Sequence, residues 1–348
     1  MKRFLQKLTG KKPVMGTVDA TIATGLSETE IDAAATHSGA VPLYPLGQVI
    51  KNQLLKESDA AAPNSGTSSA PHPFSSTEAP ATSSRYRQIE LIGEGGTALI
   101  YQAYDETLQR PIALKRFKES AENADYLGEL QSASHVHHPN VVSVYDAGVN
   151  ADGAFIVMEL IEGEDLERSG LERRYFDNLH RFRNQAIQLL EGLDAVHAGG
   201  LLHLDLKPSN IMVCDQASGR SLAKIVDFGR ASLQSKDGKA PVGKGLDGSI
   251  YYSAPEQLLS QPLDVRTDLY SLGCVFYFLL SGRRPFQGDH TLQVMTAHLQ
   301  HSVVDLSEVA ETLPRWLCDW VMRLIAQEPG DRYGSALDAL AAFNEGSW

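Results

Sequence analysis

From residue 86 the apolar positions fall into short runs separated by turn residues. "YRQIELIGEGG" (86–96), "ALIYQAYDE" (98–106) and "RPIALKRFK" (110–118) place Ile and Leu at nearly alternate positions, the period of half-buried strands. A helical pattern follows through "NADYLGELQSASHV" (123–136). Two further strand runs come next, "VVSVYDAG" (141–148) and "AFIVMEL" (154–160). From about residue 176 the pattern turns helical, and "FDNLHRFRNQAIQLLEGLDAVHAGG" ends in two glycines, a carboxyl-terminal helix stop. The most apolar run, "YSLGCVFYFLLSG" (Tyr270–Gly282), is shorter than the roughly 18–20 residues of a membrane span and predicts a buried core helix. Strands first and helices later imply an α+β chain of two lobes, with a seam near Glu162–Asp165.

The first 84 residues read differently. Residues 60–84, "AAAPNSGTSSAPHPFSSTEAPATSS", are almost wholly Ala, Pro, Ser, Thr and Gly. Such a segment cannot bury enough apolar surface to offset its ordering entropy, and it reads as a flexible linker. Residues 1–59 form a leader with two short helical patterns. "SETEIDAAA" has capping-box spacing from Ser27 to Glu30, and "LGQVIKNQLLKE" sets Leu46, Val49, Ile50 and Leu54 on one stripe. The basic start "MKRFLQKLTGKK" has no hydrophobic stretch after it, so it is no secretory signal. It is also too short for a stable membrane anchor. Residues 85–345 are the expected folded domain.

Charge and cysteine content narrow the function classes. The 348 residues carry a net charge of −12, and residues 1–84 balance seven Lys and Arg against seven Asp and Glu. The excess therefore belongs to the folded part, which argues against nucleic-acid binding. Cys214, Cys274 and Cys318 lie far apart with no CxxC pair, which fits a reducing cytoplasm better than a disulfide framework or a zinc site.

Several positions carry candidate chemistry. Gly93, Gly95 and Gly96 lie between two strands, where their backbone can approach phosphate oxygens closely. The loop enters a strand instead of a helix, which disfavours a dinucleotide site; alone it fits a ligand-free hairpin equally well. Lys115 stands in an apolar strand, and Glu129 lies within the next helical pattern. A buried lysine needs such a partner, and the pair would hold the ammonium ready for a polyphosphate. In "HLDLKPSN" (203–210), Asp205 is able to orient an incoming hydroxyl, Lys207 to neutralise developing charge, and Asn210 to offer an amide oxygen to a cation. Asp227 of "IVDFG" follows seventeen residues later. A carboxylate with an amide oxygen suits hard Mg²⁺.

In this order the motifs resemble those of a protein kinase of the Ser/Thr type, and more narrowly the bacterial members of that family. The resemblance covers about residues 86–345. It implies a bilobal fold: a β-rich N-lobe with one helix, the family's αC (about 85–161), and a mostly helical C-lobe (about 162–345). Lys115 then matches the strand lysine and Glu129, nine residues before His138 of "HHPNVV", its helix partner. The nucleotide would be contacted by Ile92, Gly93, Glu94, Gly95, Gly96, Thr97, Ala98, Leu99, Ile100, Ala113, Lys115, Met158 (the gatekeeper), Glu159, Ile161 and Met212. Asp205 and Lys207 would serve phosphoryl transfer, and Asn210 and Asp227 would hold Mg²⁺ or Mn²⁺. Arg332 of "EPGDRY" would pair with Glu256 of "SAPEQ". The implied activity is ATP-dependent phosphorylation of Ser/Thr hydroxyls in proteins, including the chain's own linker, in the cytoplasm, with a cognate phosphatase as a further partner.

The chain departs from the family pattern in two places. Leu204 stands where an arginine usually precedes the catalytic aspartate, and a leucine cannot pair with a phosphorylated activation loop. Residues 230–253 contain Ser232, Ser235, Ser249 and Ser253 but no threonine. Activity gated by phosphorylation of this loop is therefore not expected. Ala98 replaces the third loop glycine, where a methyl group adds little bulk. Two other readings compete. A pseudokinase scaffold is disfavoured by retention of Lys115, Glu129, Asp205, Asn210 and Asp227. A small-molecule kinase of the aminoglycoside type is disfavoured by "SAPEQ" and the buried helix, which would form a polypeptide ledge.

Overall fold

A computed structural model describes residues 85–347, apart from 97, 119–133, 151, 170–174, 176–177, 216–220, 229–230 and 234–249. The leader and linker read from residues 1–84 lie outside the described residues, as does most of the predicted 123–136 helix; residues 134–135 form a turn.

The five predicted strand runs form one antiparallel sheet. β1 (Tyr86–Glu94), β2 (Ala98–Asp105), β3 (Arg110–Phe117), β4 (Val144–Asn150) and β5 (Gly153–Met158) pair in the order β1-β2-β3-β5-β4. Central β3 buries Ile112, Ala113, Leu114 and Lys115, because it has neighbours on both sides. Edge strand β1 breaks register twice, between Gln88 and Glu90 and between Leu91 and Gly93. These bulges leave Ile89, Leu91 and Ile92 about half exposed, although alternation predicts a half-buried strand throughout.

The helical lobe follows β6 (Glu164–Asp165) and the short α1 (Leu166–Ser169). α2 (Leu179–Ala198) starts where the Asn178 side chain accepts the Arg181 N–H at 3.0 Å and ends at Gly199, as the double glycine predicts. β7 (Leu201–Leu202) leads into the candidate loop. The hairpin β8 (Ile211–Asp215) and β9 (Ser221–Ile225) closes behind it, and β10 (Ser232–Leu233) returns to β7. After α3 (Pro255–Leu258), helix α4 (Val265–Ser281) buries every residue from Thr267 to Leu280, as its predominantly apolar sequence from Leu269 onward requires. Asp264 caps it, and Gly282 ends it at φ +69°.

Around α4 pack α5 (Thr291–Leu299), α6 (Leu306–Val309), α7 (Arg315–Leu324) and α8 (Ala336–Asn344). Phe182 meets Phe276 edge-on at 5.5 Å between centroids, and Trp320 lies 4.6 Å from Phe343. Each such ring contributes a few kcal/mol of burial, about 1.5–3 for a Phe-sized side chain. Among the described residues, no helix is long and apolar enough to cross a membrane. The helical lobe is thus a rigid floor for the loops on its upper face.

Candidate active site

The hairpin register sets the core of the site. Ile211 pairs with Ile225, so Asn210 lies opposite Val226, and the Val226 N–H donates to the Asn210 carbonyl at 3.0 Å. Asp227, one residue on, therefore stands beside Asn210. The Asn210 amide nitrogen donates to the Asp205 carbonyl at 2.8 Å and to Asp205 Oδ2 at 2.9 Å. Lys207 Nζ donates to the same Oδ2 at 2.8 Å. The side chains five residues apart in the sequence thus converge on one carboxylate. With its nitrogen committed, Asn210 keeps its oxygen for a cation.

Lys115 reaches the site from the sheet lobe. The residue is 6% exposed, and its ammonium pairs with Asp227 Oδ1. The partner expected from the sequence, Glu129, lies outside the described residues. Lys115 and Asp227 share a small cavity with Val142, Val144, Ile156, Met158 and Phe228. Here the expected gatekeeper Met158 pairs with Ala113 across β3 and β5.

The other expected nucleotide contacts are distributed as follows. Gly93 and Glu94 pair with Ile100 and Leu99, and Gly95 N donates to the Ala98 carbonyl at 2.8 Å to close the hairpin. A methyl group on Gly96 would meet nothing within 4 Å, so the loop has open space beside its backbone. The Glu94 carboxylate is tied to Lys118 at 2.8 Å, which leaves the loop's contribution to its N–H groups. Thr97 lies outside the described residues. Glu159 N donates to the Ser143 carbonyl at 2.9 Å; Ile161 and Met212 are partly buried nearby.

Several residues to which the sequence reading gave no role of their own hold the site in place. Asp268 of α4 accepts the His203 and Leu204 N–H groups, each at 2.8 Å, and His197 Nε2 at 2.9 Å. Burial opposes its ionisation. The hydrogen bonds it accepts from His197 and from the His203 backbone N–H nevertheless hold this carboxyl below the usual aspartate range. His203 Nε2 bonds the Val226 carbonyl at 3.0 Å, so its Nδ1 accepts the Asp205 N–H at 3.3 Å. Lys224 is buried and pairs with Glu159 at 2.9 Å, tying the segment after β5 to the strand that leads into Asp227. A lysine inside the apolar run "LAKIV" was the available signal.

The ledge after the site follows the expected pattern. Glu256 and Arg332 form a bidentate pair at 2.7 and 2.9 Å. Thr267 also donates to Glu256, and Arg332 donates to the carbonyls of Ala326, Arg266 and Gln327.

A glycine turn and a buried lysine of the sheet lobe, the aspartate that pairs with that lysine, and an Asp-Lys-Asn loop of the helical lobe make up the candidate site. Residues 86–342 match the family model described as protein kinase domain. The chain belongs to the protein kinase family. It is 35% identical over 264 residues to the serine/threonine-protein kinase PknE of Mycobacterium bovis, covering 74% of this chain and 45% of that one. Against a serine/threonine-protein kinase of Streptomyces coelicolor it is 34% identical over 266 residues, covering 72% and 47%. Against one from Myxococcus xanthus it is 33% identical over 270 residues, covering 72% and 48%. The chain thus spans less than half the length of these relatives.

Proposed function

We propose that this chain transfers the γ-phosphoryl group of ATP to Ser and Thr hydroxyls of proteins. The observation that carries the reading is the convergence of Lys207 and Asn210 on Asp205 Oδ2, with Asp227 held beside Asn210 by the hairpin register. Asp205 orients the substrate hydroxyl and accepts its proton. Lys207, 2.8 Å from that carboxylate, neutralises charge that develops on the phosphoryl oxygens. Lys115 holds the α- and β-phosphates, and the glycine loop covers the chain of phosphates with its backbone around Gly96, where the space is open. Positioning of this kind supplies most of the acceleration in phosphoryl transfer.

The donor set also fits a magnesium ion. Among the described residues no three His, Cys, Asp or Glu side chains cluster as a metal cage. A carboxylate with an amide oxygen is the partial shell that Mg²⁺ completes with water and substrate phosphates. Asp227 and Asn210 would hold it, and when bound it would neutralise phosphate charge. Cys214, Cys274 and Cys318 form no disulfide among the described residues, which supports a cytoplasmic location, where a phosphatase would reverse the modification.

Leu204 supports activity without activation-loop phosphorylation. Its side chain is buried against Leu202, Leu263 and Val265, so the position where the family places an arginine is filled by apolar contact. A Ser232→Ala/Ser235→Ala variant is expected to keep most of its activity. Loss of activity, with recovery on acidic replacement, would refute phosphorylation-independence.

The test of the main reading is labelled-phosphate incorporation into a basic protein substrate and into the chain itself, with mass spectrometry locating phosphate in residues 60–84. Asp205→Asn and Lys115→Met should abolish incorporation. Nucleotide binding with no transfer by the wild-type chain would leave the scaffold reading instead.

A further inference from the structure

The peptide between Leu204 and Asp205 carries the carboxylate on which the proposed chemistry depends. Leu204 has φ +61°, a left-handed conformation that a branched side chain adopts only when its surroundings over-determine it. Three contacts do so. The Leu204 N–H goes to Asp268 Oδ1 at 2.8 Å, and the side chain is packed in its apolar cluster. The carbonyl accepts a 3.0 Å hydrogen bond from Gln257 Nε2.

Gln257 does not belong to the catalytic loop. It is the third residue of α3, and its Oε1 accepts the Ala254 N–H at 2.9 Å at the start of that helix. The two ends of one amide therefore bind two different parts of the site. One end fixes the ledge "SAPEQ" and the other fixes the peptide leading to Asp205. Because Pro255 and Glu256 are buried, and Glu256 is locked to Arg332, the Gln257 backbone has a firm base. A primary amide is needed here, since one atom must accept and the other must donate.

We propose that Gln257 is a positioning residue for phosphoryl transfer: it holds the Leu204–Asp205 peptide at the orientation transfer requires and couples that orientation to the polypeptide ledge. The inference rests on the reading of Asp205 as the hydroxyl-orienting base. It assigns to a neutral side chain a link that needs no phosphate on the activation loop. Without the Nε2 donor, the Leu204 carbonyl loses its anchor and the strained peptide relaxes. Asp205 then drifts from the hydroxyl, while Lys115, Asp227 and the glycine turn stay as they are. A displacement of this size at a reacting group costs about tenfold or more in rate.

Gln257→Glu separates the two bonds. Its carboxylate still accepts from Ala254 but sets an oxygen against the Leu204 carbonyl. Gln257→Leu removes both bonds. The full chain and both variants are assayed for transfer to a protein substrate, with kcat expressed per site that binds Mg²⁺-ATP in titration. Both variants should lose about tenfold in kcat per site while the KM for ATP stays within about twofold. A fall of less than about threefold in Gln257→Glu would overturn the proposal. So would a fall accounted for by fewer nucleotide-binding sites, since that is the mark of a merely structural role. Asp205→Asn, run in parallel, should abolish transfer. If it does not, the reading of Asp205 fails and this inference falls with it; if it does while Gln257→Glu behaves as wild type, the inference alone fails.

Discussion

His298 should make the helical lobe acid-labile. The side chain is fully buried on α5, 4.1 Å from Phe286 between ring centroids, and Nδ1 lies 2.7 Å from the Tyr270 hydroxyl. Nε2 is buried with no hydrogen-bond partner among the described residues. Beyond Tyr270, whose ring lies 4.7 Å from the Arg332 guanidinium, stands a buried positive charge already. Burial therefore pushes the imidazole down to about 3, against a smaller opposing pull from the backbone of Tyr251 and Ile250 and with a further lowering from His301. The unfolded chain takes up this proton near the ordinary histidine value of about 6.5. The folded chain does not, so the unfolded state binds more protons between these values, and stability falls as pH drops.

The size of the effect follows from the unfolded value alone at any pH well above the folded one. One pH unit below 6.5, the unfolded histidine is mostly protonated, and the loss is about 1.4 kcal/mol. His298→Gln keeps an acceptor for Tyr270 and removes the titration. Urea unfolding of both proteins at pH 7.5 and 5.5 isolates the contribution, because every other group titrates in both. The wild type should lose about 1.4 kcal/mol more than the variant over this interval, or roughly 3–6 °C in melting temperature. Equal losses in the two proteins would refute the reasoning, since the buried imidazole would then be taking up its proton in the folded state.

Two further outcomes follow from the packing. Arg332→Met strands the Glu256 carboxylate, 3% exposed, without its bidentate partner. It should cost about 3–5 kcal/mol in urea unfolding, part of which Glu256→Gln in the same chain restores. Gly273→Ala places a methyl carbon 2.6 Å from Leu324 Cβ and 2.8 Å from Ile325 Cγ2. That should push α4 from α7 and cost about 1–3 kcal/mol, read as a lower melting temperature.

The site was legible in the sequence to the extent that its chemistry is local. Asp205, Lys207 and Asn210 sit within six residues, and the hairpin that brings Asp227 to them is short; spacing alone assembles the group. The buried helix was legible because an all-apolar run admits one explanation. What the sequence did not disclose depends on distance along the chain. Lys115 meets Asp227 across 112 residues, and Gln257 meets the Leu204 carbonyl across 53. No period or motif records which glutamine a strained carbonyl will face. The exposure of Ile89 and Leu91 was hidden for another reason: alternation marks a strand, but two bulges and an edge position decide how much of it is covered.

The same distinction explains why the arginine position could change without dismantling the loop. A residue before the catalytic aspartate has two tasks, holding its own strained backbone and reporting on the activation loop. In this chain the backbone task is carried by groups that do not titrate near neutral pH. The N–H rests on a carboxyl held below the usual aspartate range by the hydrogen bonds it accepts, the carbonyl rests on an amide, and the side chain rests on three apolar neighbours. With the backbone secured from α4 and α3, a leucine at 204 serves by packing. An arginine at 204 would set its charge beside Leu202, Leu263 and Val265, where burial of a charge is costly.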